Sequence, residues 1–299
     1  MPEVSVVVPA YNAERTLGET LASALSQTLE DLEVIVVDDG STDATAAVAQ
    51  AGDDPRVRVL SVPNGGVARA RNLGIREANG GLVAFLDADD LWEPRKLERQ
   101  VEALEAQPEA GMSFTAALRI DADGNRLAPM PVEKRADYTE AILLHSMVAG
   151  CISSGVVRRA LALEIGGFDP SFSQSADWDF WLRLSLATGF VPVTEPLVRY
   201  RTYSGNMSSD VALLERDTFA VLDKFFADPA SVRYRPLRSR AYANHWMICS
   251  GSYLHAGRPG SSLRCLGRGL LAHPGNVGRP LGMPLRWIKR RASENAVPA

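Results

Sequence analysis

Cysteine is nearly absent: Cys151, Cys249 and Cys265 are the only three in 299 residues. Odd in number, scattered and without metal spacing, they exclude a disulfide framework and a thiolate cage. They suit buried free thiols in a reducing compartment. Long apolar runs are missing as well, since no window approaches the roughly 20 apolar residues of a bilayer-crossing helix. The opening stretch, MPEVSVVVPAYN, has no basic lead and too short an apolar run for a secretory signal. Both absences point to a protein made and kept in the cytoplasm. Excess positive charge is missing too. The net charge is −4 and the pI about 5.7, which excludes nucleic acid as the main partner.

What is present is enough apolar material for a full core. With 46% hydrophobic and 23% charged residues, one large domain plus an appendage is expected. Four short runs, VSVVVPA, LEVIVVDD, RVRVLSV and LVAFLDAD, are too short for helices and rich in Val or Ile. That is how strands covered on both faces read. Helix-like stretches lie between them, so strand and helix alternate and predict a parallel sheet with right-handed crossovers. Ser41, Thr42 and Asp43 are cap candidates, and Pro94 suits the first turn of a helix over residues 94–107. Past residue 110, two extended runs meet around Asp123-Gly124, a hairpin signal that adds antiparallel strands. From about residue 210 the apolar spacing turns helical. The expected organisation is therefore a domain over 1–210, a helical appendage over 211–276 resembling one tetratricopeptide-type pair, and a basic amphipathic tail over 277–299.

In an open parallel sheet, ligands bind outside the carboxyl ends of the strands. That rule gathers Pro9, Ala10, Tyr11 and Asn12 with five aspartates, Asp38, Asp39, Asp87, Asp89 and Asp90. Crowded carboxylates raise one another's pKa, and a hard divalent cation, magnesium or manganese, would relieve them. A metal in turn suggests a phosphate-bearing substrate. Asp38 and Asp43 could equally be turn or cap residues. Capping cannot use Asp87, Asp89 and Asp90 at once.

The segments VVVPAYN, VIVVDDGSTD, NGGVARARNLGI, GLVAFLDADD, GGFDPSF and DWDFWLRL, in that order, resemble a family 2 glycosyltransferase, whose catalytic domain has the GT-A fold. The match covers roughly residues 3 to 205, and the order of the motifs makes it specific. The resemblance implies an inverting enzyme. It would move a sugar from a nucleoside diphosphate donor, preferably a UDP-sugar, to a hydroxyl of a glycan or lipid-linked acceptor in cell-surface polysaccharide synthesis.

On that resemblance Tyr11 and Asp39 hold the donor base, Pro9 and Ala10 lend backbone, and Glu14 lies close by. Arg71 approaches the base or the diphosphate. DADD resembles the DxD motif, with Asp87 at the ribose or supporting the site, Asp89 on the metal, and Asp90 as the alternative ligand. Asp177 is the base, and a helix start there would lower its pKa. Ala176 stands where the family commonly has an acidic residue, and Tyr203 where it often has a histidine. The glycines of GGF, residues 166–168, suit a close approach of backbone to sugar, or a plain tight turn. In the tail, Trp287 among Arg279, Arg286, Lys289, Arg290 and Arg291 suits peripheral contact with the inner face of the cell membrane. The other readings open at this point are an inert nucleotide-binding scaffold and a phospho-accepting signalling domain with an acidic magnesium pocket.

Overall fold

The structure, a computed structural model, describes residues 1–145, 150–202 and 210–277. The chain divides into two compact units, one formed by residues 1–142 with 146–209 and the other by 143–145 with 210–299.

The first unit begins as expected, with strand and helix alternating. Its elements are β1 (Val4–Ala10), α1 (Leu17–Leu25), β2 (Leu32–Asp38), α2 (Thr45–Gln50), β3 (Val57–Ser61), α3 (Val67–Glu77) and β4 (Leu82–Phe85). There follow β5 (Leu91–Trp92), α4 (Lys96–Ala106), β6 (Ala110–Ile120), β7 (Arg126–Met130), α5 (Tyr138–Leu144), β8 (Gly155–Arg158), α6 (Arg159–Glu164), α7 (Ala176–Ala187) and β9 (Gly189–Arg201). Strands β1, β2 and β4 are buried along their whole length, as strands covered on both faces must be.

Among the described residues nine strands join in one sheet, ordered β3-β2-β1-β4-β8-β6-β9-β5, with β7 on β6. β1 to β4 pair in parallel, β8 runs antiparallel to β4 and β6, and β9 runs parallel to β6. The chain leaves β1 toward β2 and β3, then returns to place β4 on the other side of β1. The carboxyl ends of β1 and β4 therefore flank a topological switch point, where an open α/β sheet leaves a crevice. The hairpin forms where Asp123-Gly124 indicated it, with Gly124 at φ +86° and Asp121 accepting the N–H groups of Asp123 and Asn125.

In the second unit Asp210 caps α8 (Val211–Ala227) by accepting from Ala212 and Leu213 N–H. The paired helices are α9 (Arg238–His255) and α10 (Pro259–Ala272), joined by Gly257 at φ +70° and with Pro259 at the first helical position. Val211, Cys249, Tyr253 and Cys265 form their core. All three cysteines are free and buried. No helix among the described residues is long and apolar enough to cross a membrane. The tail from residue 278 and Tyr203 lie outside the described residues.

One core residue is misfit by charge. Lys96, at the start of α4, is fully buried, and its Nζ stands 3.9 Å from the Trp92 ring centroid with no hydrogen-bond partner among the described residues. Burial holds its pKa far below the ordinary lysine range. The unfolded lysine keeps its proton up to pH about 10, so burial of the ammonium weighs against folding below that pH and the penalty fades as pH rises toward it. Lys96→Met should raise unfolding stability at pH 7 by about 1 to 3 kcal/mol, and the gain should shrink as pH rises toward about 10, where the unfolded lysine loses its proton as well. A destabilised variant in denaturant titration would mean that the ammonium is charged and held by the Trp92 ring.

Candidate active site

The loops after β1 and β2 are sewn together by their own polar side chains. Asn12, at φ +49°, accepts from Thr42 N–H through Oδ1 while its own N–H donates to Ser41 Oγ. Ala13 N–H reaches Thr45 Oγ1, and Glu14 N–H reaches Asp43. Glu14 replies by accepting from Ala44 N–H, so its carboxylate serves the loop and does not line the cavity described below. Asp43 also accepts from Thr45 at the start of α2, which is the turn role left open for it.

Two further aspartates expected in the crevice are turned out of it. Asp38 is buried and accepts Ser41 N–H. Neighbours on a strand point to opposite faces, so Asp39 is the one that reaches the crevice. It holds Gly65 and Gly66 N–H at 2.8 Å each and thereby shapes the turn into α3. Gly40 must be glycine here, because its φ is +73° and an added Cβ would stand 2.7 Å from Asn64 N. Asp90 is fully buried, accepts Arg201 N–H and takes the Ser153 hydroxyl. Burial, with Asp89 and Asp87 nearby, pushes its pKa well up. The carboxylate named as the alternative metal ligand is therefore buried away from the crevice and bonded internally.

The remaining residues converge. A cavity of about 570 Å³ is lined by Pro9, Ala10, Tyr11, Asp39, Arg71, Asp87, Asp89 and Asp177, with Asn64, Cys151, Ser173, Gln174, Tyr200 and Arg201 among the others. A larger hollow of about 840 Å³, between α1, α2 and β3, is walled by Leu21, Leu25 and Val48 and contains none of these groups. The chemistry belongs to the first. Tyr11 is half exposed at its edge, a ring free to stack on a planar ligand. Arg71 is buried on α3, 2.6 Å from Asp87 Oδ1 and 5.3 Å from the Phe168 ring centroid. Its Nε has no partner among the described residues.

The turn before α7 is held from two sides. Asn72 donates to Phe168 O and accepts from Phe168 N–H, both at 2.7 Å, while Arg183 donates to Ile165 O and Gly167 O at 2.6 Å each. The second glycine of GGF answers to Asn72, since a Cβ on Gly167 would lie 2.3 Å from Asn72 Oδ1. Neither glycine lines the cavity. Asp179 is buried and orients Arg183 at 2.8 Å. Asp177, two residues earlier and so on another face of α7, opens on the cavity. The side chain of Ala176 is buried.

The expected low pKa of Asp177 is not what the surroundings produce. Burial raises it, Asp87 adds to the rise, and Arg71 and the Trp178 N–H oppose without cancelling it. Desolvation outweighs the helix terminus.

Asp89 and Asp87 are the carboxylates available to a cation. Among the described residues no three His, Cys, Asp or Glu side chains form a complete cage. The pair fits a magnesium-type ion that takes one or two protein carboxylates and completes its shell from substrate phosphate and water. Tyr200 and Arg201 escaped the sequence reading because they arrive at the end of β9. Arg201 donates to Asp89 O and Ala122 O and pairs with Glu19, fastening the acidic loop.

A family model described as glycosyl transferase family 2 matches residues 5–163, more than half of the chain. The chain belongs to that family. It is 33% identical over 219 residues to a putative teichuronic acid biosynthesis glycosyltransferase of Bacillus subtilis, covering 70% of this chain and 82% of that one. It is 34% identical over 190 residues to an Escherichia coli chondroitin synthase, covering 62% of this chain but only 27% of the relative, so it spans about a quarter of that protein's length. Solved structures share the fold. S. aureus TarS in complex with UDP-GlcNAc superposes with TM-score 0.69 at 18% identity, covering 91% of this chain and 81% of that one. A Pyrobaculum calidifontis mannosyltransferase in complex with GDP-Man and Mn2+ gives 0.62 at 22% identity, covering 98% and 84%. The GT-A fold implied by the motif order is the fold found.

The raised pKa of Asp177 carries a sign. A carboxylate that must be ionised to take a proton is lost by protonation at a higher pH than the ordinary value of about 3.9. If Asp177 is the base, kcat/KM falls with decreasing pH along a limb displaced above that value. Arg71→Met, which removes the opposing positive charge, should move the limb further up. A limb at the ordinary aspartate position, unmoved by Arg71→Met, would take the role away from Asp177.

Proposed function

We propose that this protein is an inverting glycosyltransferase. It moves a sugar from a nucleoside diphosphate donor, preferably a UDP-sugar, to a hydroxyl of a glycan or lipid-linked acceptor in cell-surface polysaccharide synthesis. The observation that carries the reading is convergence. Asp177, the Arg71–Asp87 pair and Asp89 open on one cavity at the sheet's switch point. The names of the relatives, and the UDP-GlcNAc and GDP-Man held by the structural neighbours, support the donor class.

In this reading Tyr11 stacks on the base, and Pro9 and Ala10 frame it. Asp39 acts mainly by fixing the turn at Gly65 and Gly66, so that the α3 N-terminus is set against the donor. Arg71 offers its free Nε to the diphosphate while Asp87 fixes the guanidinium. A divalent cation, manganese or magnesium, would be held by Asp89 with Asp87 beside it and would supply positive charge against the departing diphosphate. Asp177 takes the acceptor hydroxyl's proton as that oxygen attacks the anomeric carbon from the face opposite the leaving nucleoside diphosphate. A positioned base contributes roughly 100- to 10,000-fold, so Asp177→Asn should cut turnover by that order with donor affinity nearly unchanged. Asp179→Asn should act through stability, by freeing Arg183. Loss of turnover in a folded Asp179→Asn, with Asp177→Asn near normal, would exchange the two roles.

We also read peripheral membrane contact through residues 279–291, from their composition alone. The donor class is tested by a thermal-shift panel of nucleoside diphosphates and their sugars, with and without manganese, because stabilisation follows affinity. Manganese-dependent stabilisation by a uridine nucleotide is expected. It should vanish in Asp89→Asn and persist in Asp90→Asn, since Asp90 is fully buried and an amide can keep its bonds to Arg201 and Ser153. The reverse pattern would exchange the metal ligand, and no nucleotide response at all would favour an inert scaffold.

A further inference from the structure

Charge is unevenly distributed along this chain. Between Asp228 and Glu294 there are twelve Lys and Arg residues and no Asp or Glu, in a protein whose net charge is −4. Helix α10 lies within that span. Its inner face, Ser262, Cys265 and Gly269, is buried. Gly269 sits so near α9 that an added Cβ would stand 2.9 Å from Met247 Cε and 3.2 Å from Ala243 O.

The other face of α10 is apolar and open. Leu263 is 66% exposed and Leu271 85%. Leu266, Gly267 and Leu270 fall on the same side by helical spacing. Arg264 and Arg268 border this stripe and are exposed. One carboxylate, Glu215 from α8, meets both, with Arg264 bidentate at 2.7 and 2.6 Å. Seven of the twelve lie between residues 233 and 268, where Arg238 also pairs with Asp223 of α8 at 3.8 Å, and the other five belong to the tail outside the described residues.

A soluble polyanion would use the arginines and leave the leucines without a role, and a second protein core would bury the leucines but gain nothing from so large a positive excess. An anionic bilayer uses both. Leucines enter the boundary of the acyl chains while arginines keep their heads among the phosphates. We propose that the outer face of α10, centred on Leu263 and Leu271, docks on an anionic lipid surface. This deepens the membrane part of the function proposed above and does not depend on the catalytic assignments.

The test uses the full chain in co-sedimentation with phosphatidylglycerol-rich vesicles and with pure phosphatidylcholine vesicles. The parent protein should bind the first and not the second, and lose binding in high salt. Leu263→Gln with Leu271→Gln should weaken binding roughly 10- to 100-fold. That loss should persist in a background of Lys289→Gln, Arg290→Gln and Arg291→Gln, which separates α10 from the tail. The double leucine variant should keep its uridine nucleotide thermal shift, because neither leucine lines the cavity. Failure of the nucleotide shift in the parent would touch only the catalytic reading. The α10 proposal is overturned if the leucine variant binds vesicles as the parent does. It is overturned equally if heparin is bound as tightly as vesicles with no leucine dependence, or if the leucines instead hold a dimer in sedimentation without lipid.

Discussion

Asp87, Asp89, Asp90 and Asp177 stand close enough for each charge to weigh on the others, and the way the protein manages this sets much else in the site. Asp87 is neutralised by Arg71 at 2.6 Å. Asp90 is withdrawn from the cleft, and burial with the neighbouring aspartates pushes its pKa well up. The carboxylates that line the cavity are those of Asp39, Asp87, Asp89 and Asp177. The crowded acidic run is therefore less acidic than its sequence. Its one deeply buried member serves to hold Arg201 and Ser153 in place.

The ion pair also ties α3 to the turn before α7. Arg71 rests against Phe168, Phe168 stacks on Phe180 at 4.2 Å, and Phe180 follows Asp177 by three residues on α7. The backbone of the same turn is gripped by Asn72 from α3 and by Arg183 from α7. Arg71 on α3 and Asp177 on α7 are thus referenced to one turn. This is the kind of support that a reaction sensitive to small displacements requires. The missing acidic neighbour at Ala176 leaves this arrangement intact, since Asp179 supplies the buried carboxylate that anchors α7 to the turn.

Much of this was legible in the sequence. The alternation of short Val-rich runs with helical stretches gave the sheet, the carboxyl-end rule gave the crevice, and the order of six motifs gave the family. What the sequence could not give was the facing of adjacent acids. Asp38 and Asp39, or Asp89 and Asp90, differ only in which way the backbone turns, and that is decided by partners far along the chain such as Ser153 and Arg201. Glu14 was drawn into the donor site by proximity in sequence, whereas its carboxylate is spent on Ala44 N–H. The pKa of Asp177 went the opposite way because a helix start is visible in a sequence and desolvation is not.

The same limit explains how relatives at 18% identity keep a TM-score of 0.69. The strands need only be apolar on both faces, a condition that Val, Ile, Leu and Ala meet interchangeably. The exacting positions are few and polar. Gly40 exists because Asn64 is close, Gly167 because Asn72 is close, and Arg71 because Asp87 must be neutralised without filling the cavity. A side chain added at Gly40 or Gly167 would meet its neighbour at 2.7 or 2.3 Å, whereas the apolar faces of β1 and β2 accept repacking of similar volume. Function in this fold is therefore carried by residues whose burial is explained only by one another.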